Sequence, residues 1–180
     1  MAARTTLSLD QFLALPEREE DGTTYELSDG ELIRLSPPGY RHALIITNIA
    51  TLLRTRLDRA RFVVATGDAG FLLKPKPEAA TVRGADVAVN RRGTPVPAGL
   101  FPGSPFVAIE VVSPSNTPEY MDRKIKQYLA AGSEEVWILY PDTLEVHVYS
   151  QDQQPLMFRE DDEFESVLGC RFRAGDFFEI

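Results

Sequence analysis

Apolar and polar positions alternate along much of the chain, but the alternation fails between residues 106 and 112. There Phe106-Val-Ala-Ile-Glu-Val-Val112 is apolar on both faces except at Glu110. A strand of that kind belongs in the interior of a covered sheet. A carboxylate buried there is costly if unpaired, or it protonates. Glu110 therefore calls for a cation, an arginine or a function.

Around this strand the pattern predicts a mixed α+β order. Residues 8–15 read as a short helix with Ser8 as N-cap and Leu9, Phe12 and Leu13 on one face, ending at Pro16 and lying as a lid on the sheet. Residues 25–34 contain two strand-like runs joined by Asp29-Gly30, a hairpin signal. Glu26 lies on the first run and, taken alone, reads as an exposed edge residue. After the breaker Ser36-Pro-Pro-Gly39, residues 40–57 have helical period. Ile45, Ile46, Ile49, Leu52 and Leu53 share a face, and His42 projects onto it.

Residues 61–65 and 70–74 read as two strands separated by Gly67-Asp-Ala, and Asp86 opens a short strand running to Asn90. The Pro- and Gly-rich residues 91–105 read as a loop bordering a cleft. Beyond the Glu110 strand, Thr117 caps a helix that starts at Pro118, runs to Ala131 and stops at Gly132. Its buried stripe is Met121, Ile125, Tyr128 and Leu129. Lys124 flanks that stripe, while Lys126 points away from it. Residues 135–140 form a buried strand, Pro141-Asp-Thr a turn, and 145–149 a strand pairing back, with His147 on the surface. Residues 164–168 and 177–180 read as further edge strands.

Length and composition narrow the function classes. A chain of 180 residues, 43% hydrophobic and 26% charged, suits one soluble globular domain over residues 1–180, with residues 1–24 as a helical extension. The N-terminal residues lack the apolar core of a secretory signal and no run is long enough to span a bilayer, so a cytoplasmic location is expected. One cysteine, Cys170, excludes an internal disulfide framework and multi-cysteine zinc sites, and reads as a core thiol. The net charge of −8 argues against non-specific coating of nucleic acid but leaves room for a local basic groove. Arg54, Arg56, Arg59 and Arg61 form one basic cluster and Arg91-Arg92 a smaller one; each reads as solvated surface.

Asp86 and Glu110 on neighbouring strands would place two acidic oxygen sets together, a site for a hard cation. Mg²⁺ held there could activate water and neutralise charge on a phosphate, with a lysine stabilising the transition state.

Asp86 followed by Glu110-x-Val112 on a buried strand resembles the PD-(D/E)XK nuclease core. Other residues resemble, more specifically, the Uma-two family of restriction-endonuclease-like bacterial proteins. They are Tyr25-Glu-Leu with Asp29-Gly-Glu31, Ser36-Pro before His42, Gly70-Phe, Ala85-Asp-Val-Ala, Glu110-Val-Val-Ser-Pro-Ser, Lys124-Ile-x-x-Tyr128, Ala131-Gly132, and Trp137 with Pro141. The resemblance covers residues 25–149. It implies a central mixed β-sheet flanked by helices and a Mg²⁺-dependent endonuclease site, with Mn²⁺ as substitute, in which Asp86 and Glu110 hold the metal. Two positions depart from the nuclease motif: Ala85 stands where a proline is usual, and Val112 where the motif has lysine. Lys124 from the following helix is then the substitute lysine, Glu26 an additional catalytic acid, and His42 a residue in the layer behind them. DNA is the expected substrate, and cutting both strands calls for a homodimer.

Two other readings stand beside this one. A non-catalytic member of the same fold would bind nucleic acid or protein, with Lys124 too far from the two acids to share a phosphate with them. A glycosidase using paired carboxylates would need aromatic platforms near the acids, which the sequence lacks.

Overall fold

The computed structural model describes residues 5–93 and 95–180. Its centre is a nine-stranded mixed sheet with strand order β2-β1-β4-β6-β7-β8-β9, to which β3 and β5 attach through β4. The chain enters through α1 (Leu9–Leu13), capped by Ser8 and Gln11 in a reciprocal capping box. Leu9 and Phe12 of this helix pack on Leu27, Ala80 and Val82, the lid role expected of them. The hairpin of β1 (Thr24–Ser28) and β2 (Glu31–Leu35) turns on Asp29 and Gly30, both at positive φ (50° and 86°). Two such residues in succession make the tight turn that matches strand twist.

Helix α2 (Tyr40–Arg56) buries Ile45, Ile49 and Leu53 against one face of the sheet, where Val87, Val89, Val107, Ile109, Val111 and Trp137 meet it. Helix α3 (Pro118–Ala130) covers the other face, with Met121, Ile125 and Tyr128 against Ala88, Ala108, Val136 and Ile138. It starts on the Thr117 cap and ends before Gly132, whose φ of 106° is open to glycine at little strain. This helix is the crossover between β6 (Val107–Val111) and β7 (Glu135–Tyr140), which run parallel. Every residue of β6 is buried, as its uninterrupted apolar character requires.

Four expectations are corrected. Residues 61–65 and 70–74 are not two strands but parts of one, β3 (Phe62–Lys74), whose register against β4 (Thr81–Arg91) shifts between Thr66 and Ala69. The Gly67-Asp68 pair that resembles a turn is a bulge, an insertion that kinks a strand without ending it. Asp86 does not open a strand: it lies in the middle of β4, which begins at Thr81. The Pro- and Gly-rich segment contains a two-residue strand, β5 (Phe101–Pro102), parallel to β3. His147, on β8 (Glu145–Tyr149), is partly buried, its ring 4.5 Å from that of Tyr140.

The C-terminal segment differs as well. Beyond β9 (Leu156–Phe158), the strands β10 (Glu163–Glu165) and β11 (Arg171–Arg173) form a separate small sheet. Residues 177–180 are not an edge strand; Phe177 closes a 3₁₀ turn (Ala174–Phe177). Its ring is fully buried and joins Phe164 and Phe172 around Trp137, at centroid distances of 5.2–5.8 Å. No helix of the described residues is long and apolar enough to cross a membrane.

Candidate active site

The site follows from a fork in the sheet. Strand β4 pairs along its length with β3 on one edge; its other edge is shared by two strands, β1 at Val82 and β6 from Val87 to Val89. Residues 83–86 fall between these two pairings, so a notch opens there. Extending each ladder by one step sets Glu26 across from Arg83 and Glu110 across from Asp86. Directly opposed residues share a face of the sheet; Arg83 and Glu110 meet Gln127, Lys124 and Tyr128 of α3, whereas the Asp86 carboxylate meets His42 of α2. Lys124 enters the notch from α3.

The side chains around Lys124 close into one network, and Asp86 and His42 form a second group beside it. Lys124 Nζ lies 2.7 Å from Glu110 Oε2 and 3.1 Å from Glu26 Oε1. Tyr128 donates its hydroxyl to Glu110 Oε1 at 3.0 Å. Glu26 accepts four donors: Arg83 Nη1 at 2.6 Å, Tyr120 Oη at 2.6 Å, the Gly84 amide at 2.9 Å, and Lys124. Where β6 leaves β4, the Val111 amide turns to Asp86 Oδ2 at 2.7 Å. His42, at the start of α2, sets Nε2 at 3.3 Å from that same oxygen and 3.0 Å from Val111 O. Both neighbours are acceptors, so Nε2 carries the proton. Nδ1 is buried with no partner among the described residues.

The expected site residues thus converge, and one single-residue reading is overturned. Glu26 is no exposed edge residue, being 1% exposed between β2 and β4, and Lys124, which flanks the buried stripe of α3, is itself 4% exposed. Lys126 points into solvent and pairs with Asp122. Val112, in the place of the motif lysine, packs against the core on the α3 side, the side from which Lys124 reaches Glu110.

The sequence reading missed Asp68, Arg83, Tyr120 and Tyr128. Asp68 sits on the β3 bulge at φ 57°, and close approach is possible because Gly84 has no side chain: a Cβ there would lie 3.1 Å from Asp68 O. The Gly67-Asp68 pair was the available signal, since such a pair inside an alternating run also fits a bulge.

Electrostatics separate the acids. Burial alone would raise Glu26, but Lys124 and Arg83, helped by Tyr120 and the Gly84 amide, hold it down at about 2. Glu110 is pushed up to about 8, first by burial and then by the Asp86 and Glu26 carboxylates, which Lys124 only partly offsets. Burial and Asp86 also raise Asp68. Burial would lower His42, yet the bond to Asp86 and its charge raise it. Lys124 is raised well above the usual lysine value, because Glu110 and Glu26 outweigh its burial.

Four carboxyl groups, Glu26, Asp68, Asp86 and Glu110, face two permanent cations, Arg83 and Lys124. With Glu110 pushed up to about 8 the cluster holds a proton near neutral pH, and hard oxygen donors crowded in this way fit a divalent cation such as Mg²⁺, which would displace it. Among the described residues no three His, Cys, Asp or Glu side chains are grouped to hold an ion by themselves. An ion here would thus keep most of its shell as water or phosphate, as Mg²⁺ does. A cleft of about 500 Å³, lined by Glu26, Asp68, Arg83 and Gly84 on one side and Leu13 and Leu100 on the other, adjoins the notch.

A solved structure, "a putative nuclease belonging to DUF820 from Anabaena variabilis ATCC 29413", matches with a TM-score of 0.79 at 19% identity, over 96% of this chain and 97% of that one. At that identity the likeness shows the fold. No curated protein matches the chain. The model of the Uma2 family, described as "Putative restriction endonuclease", matches residues 9–173. With nearly its whole length matched, and with a nuclease-like fold around the notch, the chain belongs to the Uma2 family.

Proposed function

We propose that the chain is a Mg²⁺-dependent endonuclease that hydrolyses phosphodiester bonds in DNA. The observation that carries this reading is Lys124 at 2.7 Å from Glu110 and 3.1 Å from Glu26, beside the strand position that opposes Asp86. A binding module would keep the lysine away from the acids; here Lys124 touches Glu110. Asp86 and Glu110 would hold the metal, Mg²⁺ or Mn²⁺. Bound there, the ion supplies an activated water and neutralises charge on the phosphate. Lys124 donates to a phosphate oxygen and stabilises the charge that grows on it. Glu26, already saturated by four donors, acts through Lys124 as a positioning residue. His42 keeps the Asp86 carboxylate and the Val111 carbonyl in place. Cutting both strands of a duplex calls for two such sites, hence a homodimer.

The test is Mn²⁺ titration by calorimetry alongside cleavage of duplex, single-stranded, branched and modified DNA. The wild type is expected to bind the ion and to cut at least one substrate, with both properties lost in Asp86→Ala and Glu110→Ala. Absence of both ion binding and cleavage in the wild type would overturn the reading.

A further inference from the structure

Two arginine runs far apart in the sequence form one surface in the fold. The end of α2 and the start of β3 carry Arg54, Arg56, Arg59 and Arg61; the end of β4 carries Arg91 and Arg92. Pairing of β3 with β4 puts Phe62 across from Arg91. Arg92 then ties the runs together, its amide donating to Arg61 O and its Nε to Arg59 O, both at 2.7 Å. Arg59 Nε in turn reaches Arg54 O at 3.4 Å. The guanidinium groups of Arg61 and Arg91 lie over the rings of Phe62 and Phe106, at 5.2 and 4.1 Å. Those two rings stack on each other at 5.9 Å.

All six arginines are exposed. Arg56 pairs with Asp176 at 2.8 Å, whereas the other five make no ion pair with a carboxylate among the described residues. Asp58, the single acid within residues 54–61, accepts the Ala60 amide. Six guanidinium groups against Asp58 and Asp176 leave a strongly positive patch on a chain of net charge −8. Ring stacking and carbonyl contacts hold several of these forks in place while leaving other N–H groups directed to solvent. Planar guanidinium forks fixed in this way suit phosphate oxygens.

The patch is connected to the notch by two rigid elements. From His42 to Arg54 along α2 is about 18 Å at 1.5 Å per residue. From Asp86 to Arg91 along β4 is about 17 Å at the rise of a strand. Along B-DNA that separation is about five base-pair steps.

We propose that this arginine surface grips the phosphate backbone of duplex DNA about five base pairs from the bond at the notch. It rests on the nuclease reading for its substrate and adds a second, non-cleaving contact to it. Continuity with the notch through α2 and β4 favours the DNA backbone over an acidic protein or an anionic membrane.

The test is fluorescence anisotropy of a labelled duplex in the absence of divalent ion, across a salt series. Neutralising four forks in R59Q/R61Q/R91Q/R92Q is expected to weaken binding at least tenfold and to flatten the log K against log salt slope by about 3 to 4. The matching quadruple lysine variant keeps the slope to within about 1. The single variants R61Q and R92Q each lower it by about 1. K126Q, on the solvent side of α3, leaves the slope unchanged. An unchanged slope in the glutamine variants overturns the proposal, as does a wild type that ignores duplex DNA but binds polyglutamate or anionic vesicles through these arginines. A wild type that binds through the arginines yet neither binds Mn²⁺ nor cuts DNA leaves the surface standing and removes the nuclease reading instead.

Discussion

Glu110 and Glu135 are two buried carboxylates on neighbouring, paired strands, each 5% exposed. Glu135 receives Trp137 Nε1 at 2.8 Å, Ser166 Oγ at 2.7 Å and the Val167 amide at 3.0 Å. Two of these neutral donors belong to the C-terminal segment, so Glu135 fastens that segment to β7. Glu110 receives an ammonium and a phenol, and burial together with the charges of Asp86 and Glu26 still drives it up to about 8. Burial of an acid therefore does not mark a site. A site is marked by acid in excess of what its own donors can neutralise, because that excess is what a ligand cation relieves.

The largest effect that could break this contrast is on cleavage. Glu110→Gln keeps the shape and removes the charge, and is expected to lower the cleavage rate by about 1000-fold, the loss of a group acting in the transition state. Glu135→Gln, compared at equal concentration of folded protein, should cut at close to the wild-type rate. Equal losses in the two variants would mean that both acids are structural.

Glu26 sharpens the contrast through pH. Its folded value of about 2 lies below the ordinary 4.5, so its contribution to stability is present above 4.5 and is lost as pH falls toward 2. The difference corresponds to about 3 kcal/mol. Urea denaturation of the wild type at descending pH should show this acid limb, and Glu26→Gln should flatten it. Glu110, shifted in the opposite sense, contributes no such limb.

Truncating Glu135 comes next in size. Glu135→Ala leaves three donors without an acceptor, but Val167 is 45% exposed and its amide can turn to water. The expected loss is about 2 kcal/mol, from the Trp137 and Ser166 donors, read as a lower urea midpoint. Near-ultraviolet circular dichroism should report it, since Trp137 is packed among Phe164, Phe172 and Phe177.

How much of this was legible in the sequence depends on how local each signal is. Helices α2 and α3, the Thr117 cap and the Asp29-Gly30 turn are written within a few residues and lie where the pattern sets them. Glu110 was legible because a single charge in an apolar run has no local explanation. Arg83 was not, because its partner Glu26 is 57 residues away and only the β1–β4 pairing joins them. Asp68 was lost because a bulge and a hairpin turn use the same residues, and only the pairing of β3 with β4 on both sides of it separates the two. Phe177 was read as an edge strand because its buried aromatic partners come from elements distant in the chain.

The smallest effect tests the assignment of the lysine. Lys124 and Lys126 are two residues apart on α3, which rotates them by about 200° around the helix axis. One therefore enters the notch while the other faces water, 72% exposed and paired with Asp122 four residues back. An exposed pair of that spacing is worth about 0.3–0.5 kcal/mol, screened further by salt. Lys126→Met should thus leave cleavage unchanged and shift the urea midpoint barely beyond error. The same replacement at Lys124 removes the shared cation between Glu110 and Glu26, and should abolish cleavage while leaving two buried acids to repel each other. If Lys126→Met were the variant that lost cleavage, the lysine serving the notch would have to come from a different face of α3, and the contrast between Glu110 and Glu135 would lose its chemical side.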